Sequence, residues 1–81
     1  SIDSALDLVE RVRPDLRIWE MGQLCEKRGG RYLKAGWSCD LSSLNDEWPG
    51  GECDEAAAPA LAVCAALLTA LIAQAEASDV Q

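Results

Sequence analysis

The sequence contains no histidine, no Cys-x-x-Cys motif and no basic residue after Lys34. Without histidine it lacks the side chain that most often acts as a general base and that commonly joins cysteine in binding zinc. Its carboxylates do not occur as a pair inside an apolar segment, where burial would raise the pKa of a general acid. These absences argue against an enzyme and against a metal site, and we expect no catalytic residue, metal or cofactor.

Charge is distributed unevenly along the chain. Acidic residues outnumber basic residues by 14 to 7, so the formal net charge is −7. All seven bases lie between Arg11 and Lys34. Residues 1–34 therefore contain seven bases and six acids, whereas the rest of the chain contains eight acids and no base. This excess of acids argues against unaided binding to a nucleic-acid backbone. The acidic second half is the expected contact for a basic partner.

The length and the cysteine count bound the architecture. With 81 residues, no repeat and no linker-like run, the chain is expected to form one domain, residues 1–81. An even number of cysteines permits three disulfide connectivities, but the chain has enough aliphatic residues for a modest core without cross-links. Free thiols are therefore favoured over disulfides and over a metal site for Cys25, Cys39, Cys53 and Cys64.

The first segment predicts an amphipathic helix at about residues 2–13. Ser1 is a candidate N-cap, and apolar residues recur behind it at helical spacing. Pro14 ends the helix, because it cannot donate to the hydrogen-bond ladder and disfavours the helical conformation of the residue before it.

Alternating residues at about 16–41 predict a β-hairpin that turns at a Gly-Gly pair. Gly22 and Gly36 inside the strands indicate bulges or a close approach of another backbone. Trp19 and Trp37 are expected to pack in the core, with a stacking platform as the less favoured interpretation.

The rest of the chain predicts a loop and a second helix. Residues 42–55 combine turn formers with acids and are interpreted as an ordered acidic loop with room for a short third strand. A helix is expected at about residues 56–76, with its larger apolar residues facing the core and its alanine face free to approach another surface, including a second copy. The expected core stripe is Leu61, Cys64, Ala65, Leu68, Leu71, Ile72 and Ala75.

The uncharged run from Ala56 to Ala75 is long enough to cross a bilayer. Ten of its twenty residues are alanine, only six are Leu, Ile or Val, and its flanks are acidic. A core helix is therefore favoured over a membrane span. The predicted fold class is α+β: a compact α-β-β-α domain whose antiparallel sheet has two or three strands and packs with two helices.

Two segments carry a resemblance to a known family. The opening "SIDSALDLVERVRP" and the later "AAAPALAVCAALLTALIAQ" resemble the phage ABA sandwich domain, a group of phage and prophage proteins. Members commonly open with Ser-x-Asp-x-Ala-Leu and close with Thr-Pro-Ala-Leu-Ala-Leu-Cys, where this chain has Ala58 in place of Thr. The resemblance implies a protein of the infected bacterium's cytoplasm with reduced cysteines, but no activity that transfers residue by residue.

Two groups of charged residues are candidate binding sites. The acidic loop could imitate a phosphate backbone in a basic groove with a tryptophan as its anchor, or it could be a solvated loop; its residues are Asp40, Asp46, Glu47, Trp48, Glu52, Asp54 and Glu55. The basic hairpin turn is either a polar tip or a phosphate site formed by backbone amides with Lys27, Arg28 and Arg31.

These features lead to three functional hypotheses. The leading one is a small, non-enzymatic, anti-CRISPR-like protein that inhibits a bacterial defence protein or nucleoprotein complex through the acidic loop, without binding nucleic acid or membrane directly. The second is a sponge for nucleotide second messengers that holds phosphate at Arg28 and Arg31. The third is a structural module that forms a homodimer through the Ala-rich helix.

Overall fold

The structure, a computed structural model, describes residues 1–45 and 48–79, without the side chains of Arg28, Tyr32, Leu33, Lys34 and Asp79. Its elements are α1 (Ile2–Val12), β1 (Leu16–Arg28), β2 (Arg31–Ser43), β3 (Gly51–Ala56) and α2 (Pro59–Asp79). The strands form one antiparallel sheet in the order β1-β2-β3. The predicted α+β architecture is confirmed, and the sheet has three strands.

Helix α1 begins and ends where its capping residues allow. The Ser1 Oγ accepts a hydrogen bond from the backbone N–H of Ser4 at 3.3 Å. At the other end the helix stops at Val12, and the N–H of Arg13 donates to the carbonyl of Val9 at 2.8 Å. Ala5 and Val9 form its buried face.

The β1–β2 hairpin contains two bulges that offset one another. Its turn is the predicted Gly-Gly pair, with φ of 57° and 78°. Ala35 on β2 and Trp19 on β1 have no paired residue opposite, so the register shifts by one residue and then returns. Gly36, beside the first bulge, has φ 139°, and a Cβ there would lie 2.9 Å from the Ala56 carbonyl oxygen. The expectation of a bulge at Gly22 is wrong, since it pairs regularly with Ser38.

Strand β3 is the short third strand for which the predicted loop over residues 42–55 left room. It pairs with β2 through Cys39–Cys53, Asp40–Glu52 and Leu41–Gly51. Two glycines permit this course, since a Cβ at Gly50 would collide with the Leu41 carbonyl and a Cβ at Gly51 with the Ala66 carbonyl. Because β3 extends to residue 56, the second helix begins three residues later than expected, at residue 59.

Helix α2 packs with the opposite face from the one predicted. Its buried residues are Ala62, Val63, Ala66, Leu67 and Ala70. Three large residues of the expected core stripe, Leu61, Leu68 and Ile72, are 54–60% exposed, whereas Cys64 and Leu71 of the same stripe are half-buried against the core. Ala66 and Ala70 lie at the closest approach to Gly51, where small side chains let the helix backbone come close to β3.

Helix α2 is also long and apolar enough to cross a membrane by length and composition. The segment Pro59–Ser78 contains an 18-residue stretch with a mean hydropathy of 1.8, and 28% of that stretch is buried inside the domain. The preference for a core helix over a membrane span therefore stays a prediction.

A buried arginine at the end of α1 forms a hydrogen-bonded cluster with residues from or next to the other four elements. Arg13 is 4% exposed; its Nε and Nη2 donate to the two carboxylate oxygens of Asp15, both at 2.8 Å. Its Nη1 donates to Gln74 Oε1 at 3.0 Å, and its Nη2 also donates to the Pro49 carbonyl at 3.2 Å. The Ser43 hydroxyl donates to Asp15 at 2.7 Å. Arg13 and Ser43 hold the pKa of Asp15 well below its usual range through these hydrogen bonds.

Candidate functional site

The two faces of the sheet have different environments. The inner face packs against the helices and contributes Leu16, Cys39 and Leu41 to the core. Ser38 and Asp40 come directly before and after Cys39 on β2, so their side chains point to the outer face. No helix covers this face in the described part of the chain. An antiparallel sheet tolerates such an open face if it is polar.

Acidic residues form a row across this outer face. Glu20 on β1 lies opposite Asp40 on β2, and Asp40 lies opposite Glu52 on β3. Directly opposed residues have their Cβ atoms about 5 Å apart. Asp54, two residues along β3, is exposed and lines one depression together with Glu20, Asp40 and Glu52. We name Glu20, Asp40, Glu52 and Asp54 the acidic face.

The acidic face opposes folding electrostatically. Like charges directly opposite one another destabilise a sheet. Within the described residues these four carboxylates form no ion pair. The one nearby cation on β1, Arg17, donates instead to the backbone carbonyls of Pro14 and Leu16 at 2.6 and 2.8 Å. A row of carboxylates that pairs with no base among the described side chains is an arrangement that folding alone does not favour.

An open groove borders the acidic face. Its volume is about 690 Å³. Asp40, Glu52, Trp48 and Pro49 are among the residues that line it. Thr69 of α2 closes one end. The Pro49 carbonyl is held by Arg13, so the buried arginine also positions the segment that carries the tryptophan. The groove therefore presents an aromatic side chain beside two carboxylates.

A second tryptophan lies close to the acidic face along β1. Trp19 is 76% exposed, so the expectation that it packs in the core is wrong. Alternation from the buried Leu16 places Trp19 on the outer face, and the bulge between Ile18 and Glu20 then places Glu20 on that face as well, opposite Asp40. Trp37 packs against the core as predicted.

The structure brings together only part of the predicted acidic loop. Asp40, Trp48 and Glu52 line the same groove, and Asp54 lies beside them. Glu55 lies at the other end of β3, next to Gly36. Asp46 and Glu47 lie outside the described residues.

Sequence reasoning missed Glu20, which completes the acidic row. The Gly-Gly turn alone would place Glu20 opposite Cys39, because pairing from a two-residue turn runs outward in step. The bulge at Ala35 moves its partner to Asp40. The glycine that follows Ala35 was the signal for this shift, but it does not specify its direction.

The basic hairpin tip lies apart from the acidic face. Lys27 and Arg31 are exposed there, and the side chain of Arg28 lies outside the description. Lys27 lies seven positions along β1 from Glu20, which corresponds to roughly 23 Å at the usual strand rise. The two candidate sites are therefore separate surfaces, and phosphate binding at the tip stays a prediction.

The four cysteines are free, and their chemistry differs with burial. Cys39 lies opposite Cys53 on the inner face. Burial, with the charge of Asp40 as a smaller cause, raises the pKa of Cys39 to about 11. Its thiol is thus protonated near neutral pH and is a poor nucleophile. Cys25 is exposed on β1.

Within the described residues, no group of three acidic or cysteine side chains could hold a metal ion. Comparison with family models, with curated proteins and with solved structures finds no match. The resemblance to the phage ABA sandwich domain therefore stays a prediction.

Proposed function

We propose that the protein is a non-enzymatic inhibitor that binds a basic surface of a bacterial defence protein, or of its nucleoprotein complex, through the acidic face. The observation that carries this proposal is the row of Glu20, Asp40 and Glu52 across three strands. The cytoplasm of an infected bacterium as its location rests on the resemblance to phage proteins.

Electrostatics supports a basic partner. A rigid sheet holds the carboxylates at the spacing of neighbouring strands, so a groove lined with Lys and Arg meets several charges at once. The partner also relieves the repulsion within the row, because its cations would lie between the opposed carboxylates. Binding and folding are thereby linked through the same charges.

Aromatic side chains supply the contact area that charges lack. Trp48 lies beside Asp40 and Glu52 in the groove, and Trp19 projects from β1. Tryptophan is enriched among the residues that dominate binding energy. A tryptophan bordered by carboxylates is suited to contact arginine, which both stacks on aromatic rings and pairs with carboxylates.

Neutralising the acidic face should weaken binding and strengthen the fold. We expect Asp40→Asn with Glu52→Gln and Asp54→Asn to abolish salt-sensitive capture of partners from a bacterial lysate. The same variant should gain a few tenths of a kcal/mol in stability, or about 2–4 °C in Tm. Pull-down at low and high salt with mass spectrometry, and thermal unfolding, measure the two effects.

A matched variant separates local from overall charge. Asp3→Asn with Glu10→Gln and Glu76→Gln removes three exposed acids from the helices, so this variant has the same net charge as the variant of the acidic face. It should capture partners as the wild type does and gain no stability. Equal loss of capture in both variants would show that only the overall charge matters, and unchanged capture in the first would refute the proposed surface.

A further inference from the structure

An apolar groove lies between the two helices, on the side of the molecule opposite the acidic face. Its volume is about 580 Å³. Leu8 and Val12 of α1 form one ridge, and Leu61 and Leu68 of α2 form the other. These four side chains are 43–60% exposed. The floor consists largely of small residues, such as Ala65.

The shape of this groove fits a second copy of itself. A leucine ridge of one copy has the size to enter the small-residue floor of another, as ridges enter grooves when helices pack. In a two-fold dimer each copy contributes the same patch, so a surface with both a ridge and a matching groove is self-complementary. Contiguous exposed apolar surface of this kind marks an interaction site.

The charges around the groove are also self-complementary. The α2 rim carries no charged residue between positions 56 and 75. On the α1 rim, Asp7 and Arg11 line one depression together with Leu8. No ion pair joins Asp7 to Arg11 within the described chain. If two α1 helices run antiparallel about an axis level with Val9, Arg11 of each copy lies opposite Asp7 of the other.

We infer that this helical groove binds a second copy of the chain and forms a two-fold dimer. The inference goes beyond the proposed function, because it concerns the opposite side of the molecule. Dimerisation there leaves both acidic faces outward, with four layers of secondary structure between them. That separation exceeds the screening length of about 8 Å at physiological salt, so the acidic faces of the two copies repel one another only weakly.

Light scattering after size exclusion tests the interface. The wild type should have twice the chain mass of 8.7 kDa at micromolar concentration. Leu68→Glu places a charge in the groove and should raise the dimer dissociation constant by roughly 30-fold or more. Leu44→Glu, at a side chain 69% exposed and outside the groove, should leave the dissociation constant unchanged. Circular dichroism confirms that both variants are folded.

A charge exchange tests the identity of the partner. Asp7→Arg and Arg11→Asp should each weaken the dimer several-fold, because the two-fold axis repeats every rim contact. The double variant should restore the wild-type dissociation constant, since opposite charges again face one another between copies. Weakening by both single variants with no restoration would overturn the antiparallel arrangement.

Other occupants of the groove would give different results. A wild-type monomer at 1 mM would overturn the inference. So would a monomer that sediments with phosphatidylcholine vesicles and loses this binding on Leu68→Glu, since the groove would then be a lipid contact. A dimer whose dissociation constant does not change on Leu68→Glu would also overturn the inference, because the contact between copies would lie elsewhere.

Discussion

Replacing Arg13 with alanine should destabilise the domain by about 3–5 kcal/mol, the usual cost of breaking a buried ion pair. The change leaves the half-buried Asp15 carboxylate with only the Ser43 hydroxyl, and it removes the donors to Gln74 and Pro49. A small domain has a total stability of only about 5–15 kcal/mol. We therefore expect the variant to be largely unfolded at 37 °C, as measured by urea and thermal denaturation.

A second arginine provides the control for this prediction. Arg17→Ala removes an exposed guanidinium that donates to two nearby backbone carbonyls. It should cost less than about 1 kcal/mol, as is usual for a surface position. If Arg13→Ala and Arg17→Ala cost the same, the buried pair does not hold the fold together.

The pH dependence of stability gives the Arg13 prediction a second readout. Because the folded state lowers the pKa of Asp15, its contribution is fully present above the unfolded pKa of about 3.9 and is lost as the pH falls toward the folded value. The wild type should therefore lose stability below about pH 4. Arg13→Ala should show a weaker loss in the same range, because its Asp15 no longer has the partner that lowers the pKa most.

Replacing Gly51 with alanine should have the second large effect. A Cβ at this position would meet the Ala66 carbonyl oxygen and the Ala70 nitrogen, which belong to the backbone of α2 and cannot rotate away. The helix must move off the sheet, so we expect a loss of about 3 kcal/mol or more, at the upper end of overpacking effects. Chemical denaturation measures the loss.

Gly22→Ala is the matched control for the close approach at Gly51. It also lies in a strand, but a Cβ there meets nothing within 4 Å. It should be neutral or slightly stabilising, because alanine has less backbone freedom to lose on folding than glycine. A similar loss at both glycines would show that the effect comes from strand propensity, not from the contact with α2.

The hairpin and the first helix could be predicted because their signals are local. The Gly-Gly turn, the N-cap serine and Pro14 each act within a few residues of where they lie. The register of the middle of the hairpin, from the pair Glu20–Asp40 to the pair Leu24–Gly36, could not be predicted in the same way. One bulge shifts it by one residue and the second bulge restores it. The acidic row depends on that register, so Glu20 was recognised only from the structure.

The packing face of α2 was predicted wrongly for a physical reason. Apolar residues surround the helix, so burial of large residues does not distinguish its faces. The deciding contact is steric: Gly51 brings the β3 backbone against the α2 backbone at Ala66 and Ala70, so the face that carries these two alanines turns toward the sheet. The same inversion exposes Leu61 and Leu68 and creates the groove assigned to a second copy.

Carboxylate labelling of the captured complex tests the central claim most directly. Carbodiimide coupling of glycine ethyl ester, read by mass spectrometry, compares the free and partner-bound protein. Protection of Asp40, Glu52 and Asp54, with unchanged labelling of Asp3 and Glu10, is the result we expect. Full labelling of the acidic face in the complex, with protection of the helical acids instead, would contradict the proposal that the open sheet binds the partner.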